Sequence, residues 1–425
     1  MWSRIYLIVA CVVHVWSELR VDPLVQTKSG LIRGLKADDG NYSMFLGVPY
    51  ARINETDPFG PAASDLIFDG IFEANNDSAI CPQVDDNTKQ AKGTLDCLRM
   101  NIFEKFFDKA ILQSGSNLKP GGLMEVDITP ALKVAGKLGL ETQDVTKAMN
   151  FIKQIDPHTI VKTAIDLGIK LRGCVERDIN GVEPIITEHF LNIDMPKLKN
   201  TPILAGFNTR EGLGMNKNKE DVHYMEPYYF EDNLKLAFHE DEEFDEMCDI
   251  VRNFYIGDED LNEDVRNNII DFEGDYYYGY PVQESLKIYV ERGALRVYQY
   301  LFSYDGDRNL IKKTNNITNY GASHADELSY LFDHTLIKEK PSDDDQLIID
   351  RMTKLWTNFA KYGDPTPEVT ELLPIKWTPI SADKYIYLDI DKEFAIKSRP
   401  FKQRLTFWEL FYKANMKKIR GYKAK

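Results

Sequence analysis

The sequence is poor in the residues that hold metals and staple small folds. Its 425 residues include only 5 Cys and 7 His, with no C-x-x-C pair and no H-E-x-x-H. Metal-ligand spacing is therefore absent, and no cofactor is expected. Positive charge is also in deficit: 52 Lys and Arg stand against 67 Asp and Glu, a net charge of −15. That balance argues against nucleic acid and anionic membrane surfaces as partners. Beyond the N-terminus no apolar run is long enough for a membrane span. Internal repeats, low-complexity tracts and Pro/Gly/Ser linkers are missing too. What is present, 43% hydrophobic and 12% aromatic residues, suits a large core that forms without staples. One domain over residues 18–425 is the simplest organisation.

The first residues read as a processing signal. Arg4 precedes the apolar run Ile5 to Val13, and Val15-Trp16-Ser17 follows at cleavage-site spacing. A signal peptide over residues 1–17 is expected, and with it a secreted, extracellular protein. The C-terminus, Lys417-Lys418-Ile419-Arg420 onward, is basic without a hydrophobic tail, so no lipid anchor is expected there. Cys11 leaves with the signal peptide. Cys81 and Cys97 close a short polar loop and are expected to form a disulfide. Cys174 and Cys248 are either a second bridge or buried thiols, with thiols preferred. Four N-x-S/T sequons, at Asn41, Asn54, Asn76 and Asn316, fit a glycosylated surface. The acidic stretch from Glu220 to Asp275 reads as a solvated face.

Strand and helix patterns alternate. Leu24–Lys36 reads as a hairpin turning at Ser29-Gly30. Tyr42–Tyr50 is a strand ended by Gly47 and Pro49, and Leu98–Phe103 is another. Phe106–Leu112 is an apolar strand running into the Gln113-Ser114-Gly115-Ser116 turn. Helical spacing covers residues 129–167. Thr201–Phe207 and Leu295–Tyr304 are continuous apolar runs of the kind found in parallel sheets. Residues 219–292 are mostly helical, Asp344–Tyr362 is a helix, Lys384–Ile396 a hairpin and Arg404–Asn415 a closing helix. The alternation predicts an α/β class, a mixed and mostly parallel sheet flanked by helices, with antiparallel edges from the hairpins at both ends.

Two motifs carry chemistry. In Gly206-Phe207-Asn208-Thr209-Arg210-Glu211-Gly212, a carboxylate stands just past the C-terminal end of a buried strand, the edge where open α/β sheets gather functional groups. In Gly321-Ala322-Ser323-His324-Ala325-Asp326-Glu327-Leu328, a loop after the next strand carries an imidazole. Acid followed by His is the later part of the Ser…Asp/Glu…His order. The carboxylate orients the imidazole, which then takes a proton from an upstream serine. Each motif alone is more often an ordinary loop.

Together with longer segments they resemble the carboxylesterase type-B (carboxylesterase/cholinesterase) family, most closely its insect secreted members. The similar segments are Val25–Gly34, Phe45-Leu46-Gly47-Val48-Pro49-Tyr50-Ala51, Cys81-Pro82-Gln83 with Asp96-Cys97-Leu98 and Asn101-Ile102, Ala110–Ser116, the Glu211 and His324 loops, and Phe407-Trp408. Leu95 departs from the family's Glu-Asp-Cys-Leu. The resemblance implies an α/β-hydrolase fold, a small-molecule carboxylic ester as substrate, Glu211 as triad acid, His324 as triad base, a Cys81–Cys97 disulfide, and Ser114 near the acid.

It also implies a gap. In the family an extended segment after Asn-Ile-aromatic holds the glycine-rich oxyanion loop and the G-x-S-x-G nucleophile elbow. Here Asn101-Ile102-Phe103 runs almost directly into Glu104–Ala110, and no G-x-S-x-G occurs. On family spacing roughly a hundred residues are absent near 103–105, part of the central sheet among them. Ser323 neighbours the His, Ser114-Gly115-Ser116 lacks an elbow, and Gly121-Gly122 has no preceding His. The nucleophile is thus expected to be missing and the chain inactive. The alternatives are a non-catalytic cholinesterase-like binding or adhesion protein, or a truncated product without function. Tyr and Phe at 224–230 and 276–280 either line an apolar pocket or pack a core. Oligomeric state is not legible.

Overall fold

Two strands with no exposed residue form the centre of the computed structural model, which describes residues 22–36, 43–63, 66–85, 88–103, 109–124, 127–169, 172–176, 186–216 and 228–422. The signal-peptide region, Cys11 and Asn41 lie outside these residues. The chain divides into two compact units, one made of the described residues of Met1–Phe106 and Ile128–Lys170, the other of those of Phe107–Asp127 and Leu171–Lys425.

The first unit contains strands β1 (Leu24–Thr27), β2 (Gly30–Arg33), β3 (Leu35–Lys36), β4 (Ser43–Pro49), β5 (Ile71–Glu73), β6 (Gln83–Val84), β7 (Ala91–Lys92) and β8 (Arg99–Phe103). β1 and β2 pair antiparallel around the 28–29 turn, and β2 pairs parallel with β5. The N-terminal hairpin thus builds its own three-stranded sheet rather than edging a larger one. β4 pairs with β8 through a bulge between Phe45 and Val48. Gly47 does not end this strand as its sequence suggested; it sits within the bulge. Its φ is +68°, and a Cβ there would lie 1.9 Å from Asn76 O, so only glycine fits. Cys81 and Cys97 are bridged. Three helices follow: α1 (Thr129–Lys137), α2 (Val145–Ile152) and α3 (Pro157–Asp166). Asp144 and Asp156 cap α2 and α3 by accepting first-turn N–H groups. Val134, Ala135, Ala148, Ile152 and Ala164 join the three into one small core.

The second unit holds the larger sheet. Its strands are β9 (Ala110–Gln113), β12 (Ile203–Asn208), β13 (Val297–Phe302), β14 (Ile386–Ile390) and β15 (Ala395–Ser398), in the order β15-β14-β13-β12-β9. Between them in the chain, β10 (Leu123–Met124) pairs with β11 (Gly173–Cys174). The three pairs of neighbours from β9 to β14 are parallel and β14–β15 is antiparallel, so the late hairpin forms one edge. β9 starts at Ala110, later than the apolar run at Phe106 suggested, and residues 104–108 lie outside the described set. Every residue of β12 and β13 is buried, because helices cover both faces. One face packs on α4 (Tyr229–Leu234), α5 (Phe244–Tyr255), α6 (Arg266–Gly274), α7 (Tyr280–Glu291) and α10 (Lys402–Ala414). The other packs on α9 (Asp343–Tyr362) through Ile348, Met352, Leu355, Trp356 and Phe359. The short α8 (Leu310–Asn315) precedes the His324 loop.

Tyr229, Phe230, Tyr276 and Tyr280 are core residues, and Trp408 on α10 donates its indole N–H to Tyr255 OH at 2.8 Å. Cys174 and Cys248 are unbridged; Cys248 is buried, but Cys174 is exposed, not buried as expected. Among the described residues no helix is long and apolar enough to cross a membrane.

Candidate active site

β12 and β13 end side by side, and the loops that leave them meet. Gly206 permits the approach: a Cβ there would sit 2.3 Å from Tyr300 O on β13. Past Asn208 the chain turns, placing Glu211 three residues beyond the strand. The two loops are stitched by Arg210 N–H to Ala322 O (2.8 Å), Ala322 N–H to Thr209 Oγ1 (3.0 Å) and Asn208 Nδ2–H to Ser323 O (2.7 Å). Asp326 folds the His loop from within. Its buried carboxyl accepts N–H groups from Ser323 (2.6 Å), Ile311 (2.6 Å) and Lys312 (3.1 Å). Burial pushes that carboxyl up to about 6 despite those bonds.

This framework brings Glu211 and His324 together. His324 Nδ1 lies 2.8 Å from Glu211 Oε2, and Glu211 is 1% exposed. The other carboxylate oxygen accepts the Ser114 hydroxyl at 2.6 Å and the Asn208 N–H at 2.7 Å. Burial lowers the His324 pKa, but the Glu211 hydrogen bond and the charges of Glu211 and Glu327 outweigh it and Lys119, leaving a net rise above the ordinary value. The Nδ1 contact sets the tautomer: Nδ1–H faces the carboxylate, and Nε2 is left as the basic nitrogen. Under the imidazole lies Tyr278, ring centroids 4.6 Å apart, presented by a π-helical turn at Asp275–Gly279. Lys119 Nζ stands 4.3 Å from the centroid of the same phenol ring.

The serines go elsewhere. Ser114, directly after β9, is committed to Glu211. Ser116 accepts Leu118 N–H (2.9 Å), donates to Pro281 O (2.9 Å) and meets Ser285 Oγ (2.7 Å). Ser323 is fully buried and accepts Gly214 N–H at 2.9 Å. Among the described residues, no hydroxyl hydrogen-bonds the imidazole.

A second buried carboxyl, Glu327, stands behind the pair. It accepts Asn208 Nδ2–H at 2.5 Å and Gln113 Nε2–H at 3.0 Å, and Gln113 Oε1 in turn accepts the Trp356 indole N–H at 3.2 Å. Burial first, then the charge of Glu211, pushes Glu327 up to about 7. Neither it nor Asn208 or Asp326 was singled out from sequence, although all three fall inside the two motifs, and Tyr278 was noted only among the aromatic residues at 276–280 that either line a pocket or pack a core.

The description Carboxylesterase family matches residues 21–106 and 103–408. Bile salt-activated lipase of Rattus norvegicus is 26% identical over 321 residues, 72% of this chain and 51% of that protein. Juvenile hormone esterase of Heliothis virescens is 26% identical over 54% of this chain and 41% of its own length. The chain spans about half the length of the curated relatives it matches. The crystal structure of juvenile hormone esterase from Manduca sexta superposes with a TM-score of 0.68 at 17% identity, covering 92% of this chain and 100% of that one. The fold is that of an α/β-hydrolase. Profile, relatives and fold agree, and the chain belongs to the carboxylesterase family.

Proposed function

We propose that this chain is by lineage a secreted serine carboxylesterase, with Glu211 and His324 as the acid and base of its triad, and that it does not turn over esters because the nucleophile and the oxyanion loop are absent. The observation that carries this reading is an imidazole oriented by a buried carboxylate with no described hydroxyl on it, in a sequence without G-x-S-x-G. In the complete reaction Nε2 would take the proton of a serine as it attacks the ester carbonyl, and backbone N–H groups would hold the oxyanion. Loss of the nucleophile alone removes about 10⁶ in kcat in subtilisin, so an oriented base does not rescue the rate. The family match comes in two stretches that meet at 103–106, which supports a missing segment there. Exposed Asn54, Asn76 and Asn316 and the Cys81–Cys97 bridge support a secreted, glycosylated chain.

A fluorophosphonate probe tests the reading. The purified chain is expected to stay unlabelled and to leave aryl acetates at the background rate. Labelling, or turnover lost in His324→Ala, would overturn it.

A further inference from the structure

We infer that a cavity of about 280 Å³ in the second unit, between α7 and α10, binds a medium-chain carboxylate anion, its head on the ammonium groups of Lys119 and Lys413 and its alkyl body against the apolar wall. The cavity includes neither Glu211 nor His324, although Lys119 also faces the Tyr278 ring beneath His324, and it needs no ester hydrolysis, so it stands or falls separately from the preceding reading.

Part of the wall is apolar. Tyr280 and Tyr412 stack with centroids 4.6 Å apart, both buried, and Leu118, Leu191, Leu236 and Ile419 continue the surface. The volume lies just below the range for small-molecule sites, roughly 300–1,000 Å³, which selects a short amphiphile over a long-chain lipid.

The charges at the cavity decide the sign of the head group. Two carboxylates line it, Glu284 and Glu409, and Lys287 holds both, at 3.7 and 2.6 Å. Arg420 is engaged away from the ligand space: Nε–H donates to Lys235 O at 2.7 Å, and Nη2 lies 3.6 Å from Glu240. Lys119 and Lys413 remain. Among the described residues neither has a carboxylate within ion-pair distance, in a chain whose net charge is −15. Lys119 Nζ sits over the faces of Tyr277 and Tyr278, at 5.8 and 4.3 Å, and feels the Glu211 charge only at longer range. His189 adds a donor. Its Nδ1 accepts Leu191 N–H at 3.3 Å and burial lowers its pKa, so the neutral ring carries its proton on Nε2. Three lysines, Lys119, Lys287 and Lys413, against two carboxylates leave the cavity net positive, which with an N–H donor over an aliphatic and aromatic wall suits a carboxylate with an alkyl tail and opposes a cationic amphiphile.

The test is calorimetric titration of the full chain with decanoate, 1-decanol and decyltrimethylammonium. Decanoate should saturate one site about tenfold more tightly than 1-decanol, and the ammonium compound should not displace it. Lys413 is exposed, so K413Q is expected to fold normally; it should weaken decanoate about fivefold and leave 1-decanol unchanged, and K119M should do the same. Equal affinity for decanoate and 1-decanol in the unaltered chain would overturn the proposal without any variant. So would decanoate affinity that neither substitution changes.

Discussion

Ser114 holds a left-handed backbone, φ +51°, while its hydroxyl donates to Glu211 Oε1 at 2.6 Å. A non-glycine residue in that region costs of order 1–3 kcal/mol, and here the surrounding bonds keep it in place. Glu211, itself buried, therefore has both oxygens satisfied, which lets it stay on the imidazole as a fixed acceptor. The consequence is measurable at His324. Its folded pKa is raised, so protonated His324 contributes stability that is fully present below the ordinary value of 6.5 and is lost as pH rises through the folded value. Replacing Glu211 by Gln removes the charge and leaves burial, the largest influence, together with Lys119 acting in the opposite direction, against the charge of Glu327 alone. In E211Q the His324 ring protons, followed by NMR, should titrate below 6.5 rather than above it; an unmoved titration would mean that Glu211 does not control the imidazole. Glu211 was legible in sequence because it follows a buried strand by a few residues, and His324, well past the end of β13, through the resemblance of its loop. Their supporting groups were not. Gln113, Asn208 and Glu327 come from separate parts of the chain and share one hydrogen-bonded cluster only once β9, β12 and the His loop are neighbours. No local pattern encodes that meeting.

At the scale of elements, β9 is the strand to watch. It pairs parallel with β12 from Ala110 to Gln113, and among the described residues it has no strand on its other side. Parallel strands are normally covered on both faces and paired on both edges. Ile111, in mid-strand, is 37% exposed. An open, apolar edge is a template for pairing with another chain. Ile111→Lys should therefore reduce concentration-dependent self-association in sedimentation velocity, while changing the unfolding midpoint little because the side chain is already partly in water. Association that persists in I111K would place the sticky surface elsewhere. The buried runs β12 and β13 were readable as parallel strands from unbroken hydrophobicity. The edge strand was less so: Phe106 and Phe107 extend the apolar pattern, but pairing with β12 begins only at Ala110. Gly47 misled for a related reason, since a glycine near a strand end and a glycine in a bulge look alike until Asn76 O is found against it.

At the scale of the whole molecule, the proposed reading makes the edge of β9 and the Nε2 of His324, neither of which another described strand or hydroxyl engages, two views of one deficit. A parallel strand laid beside β9 would cover Ile111 and bring its own C-terminal end to the edge where Glu211 and His324 already stand, which is where a nucleophile elbow belongs. The family match divides at 103–106, between β8 and β9. The missing segment is therefore expected to complete the sheet and the chemistry at once. Inserting the corresponding roughly hundred-residue segment of a carboxylesterase relative between Phe103 and Lys109 should give a chimera that hydrolyses p-nitrophenyl acetate and takes a fluorophosphonate label. Both activities should disappear in its His324→Ala form, because the base would come from this chain and the nucleophile from the insert. The same chimera should associate less than the parent, since β9 would no longer be an edge. A monomeric, folded chimera that stays inactive would show that the loops around Glu211 and His324 no longer accept the nucleophile. Hydrolysis indifferent to His324→Ala would show that these two residues are not its acid and base.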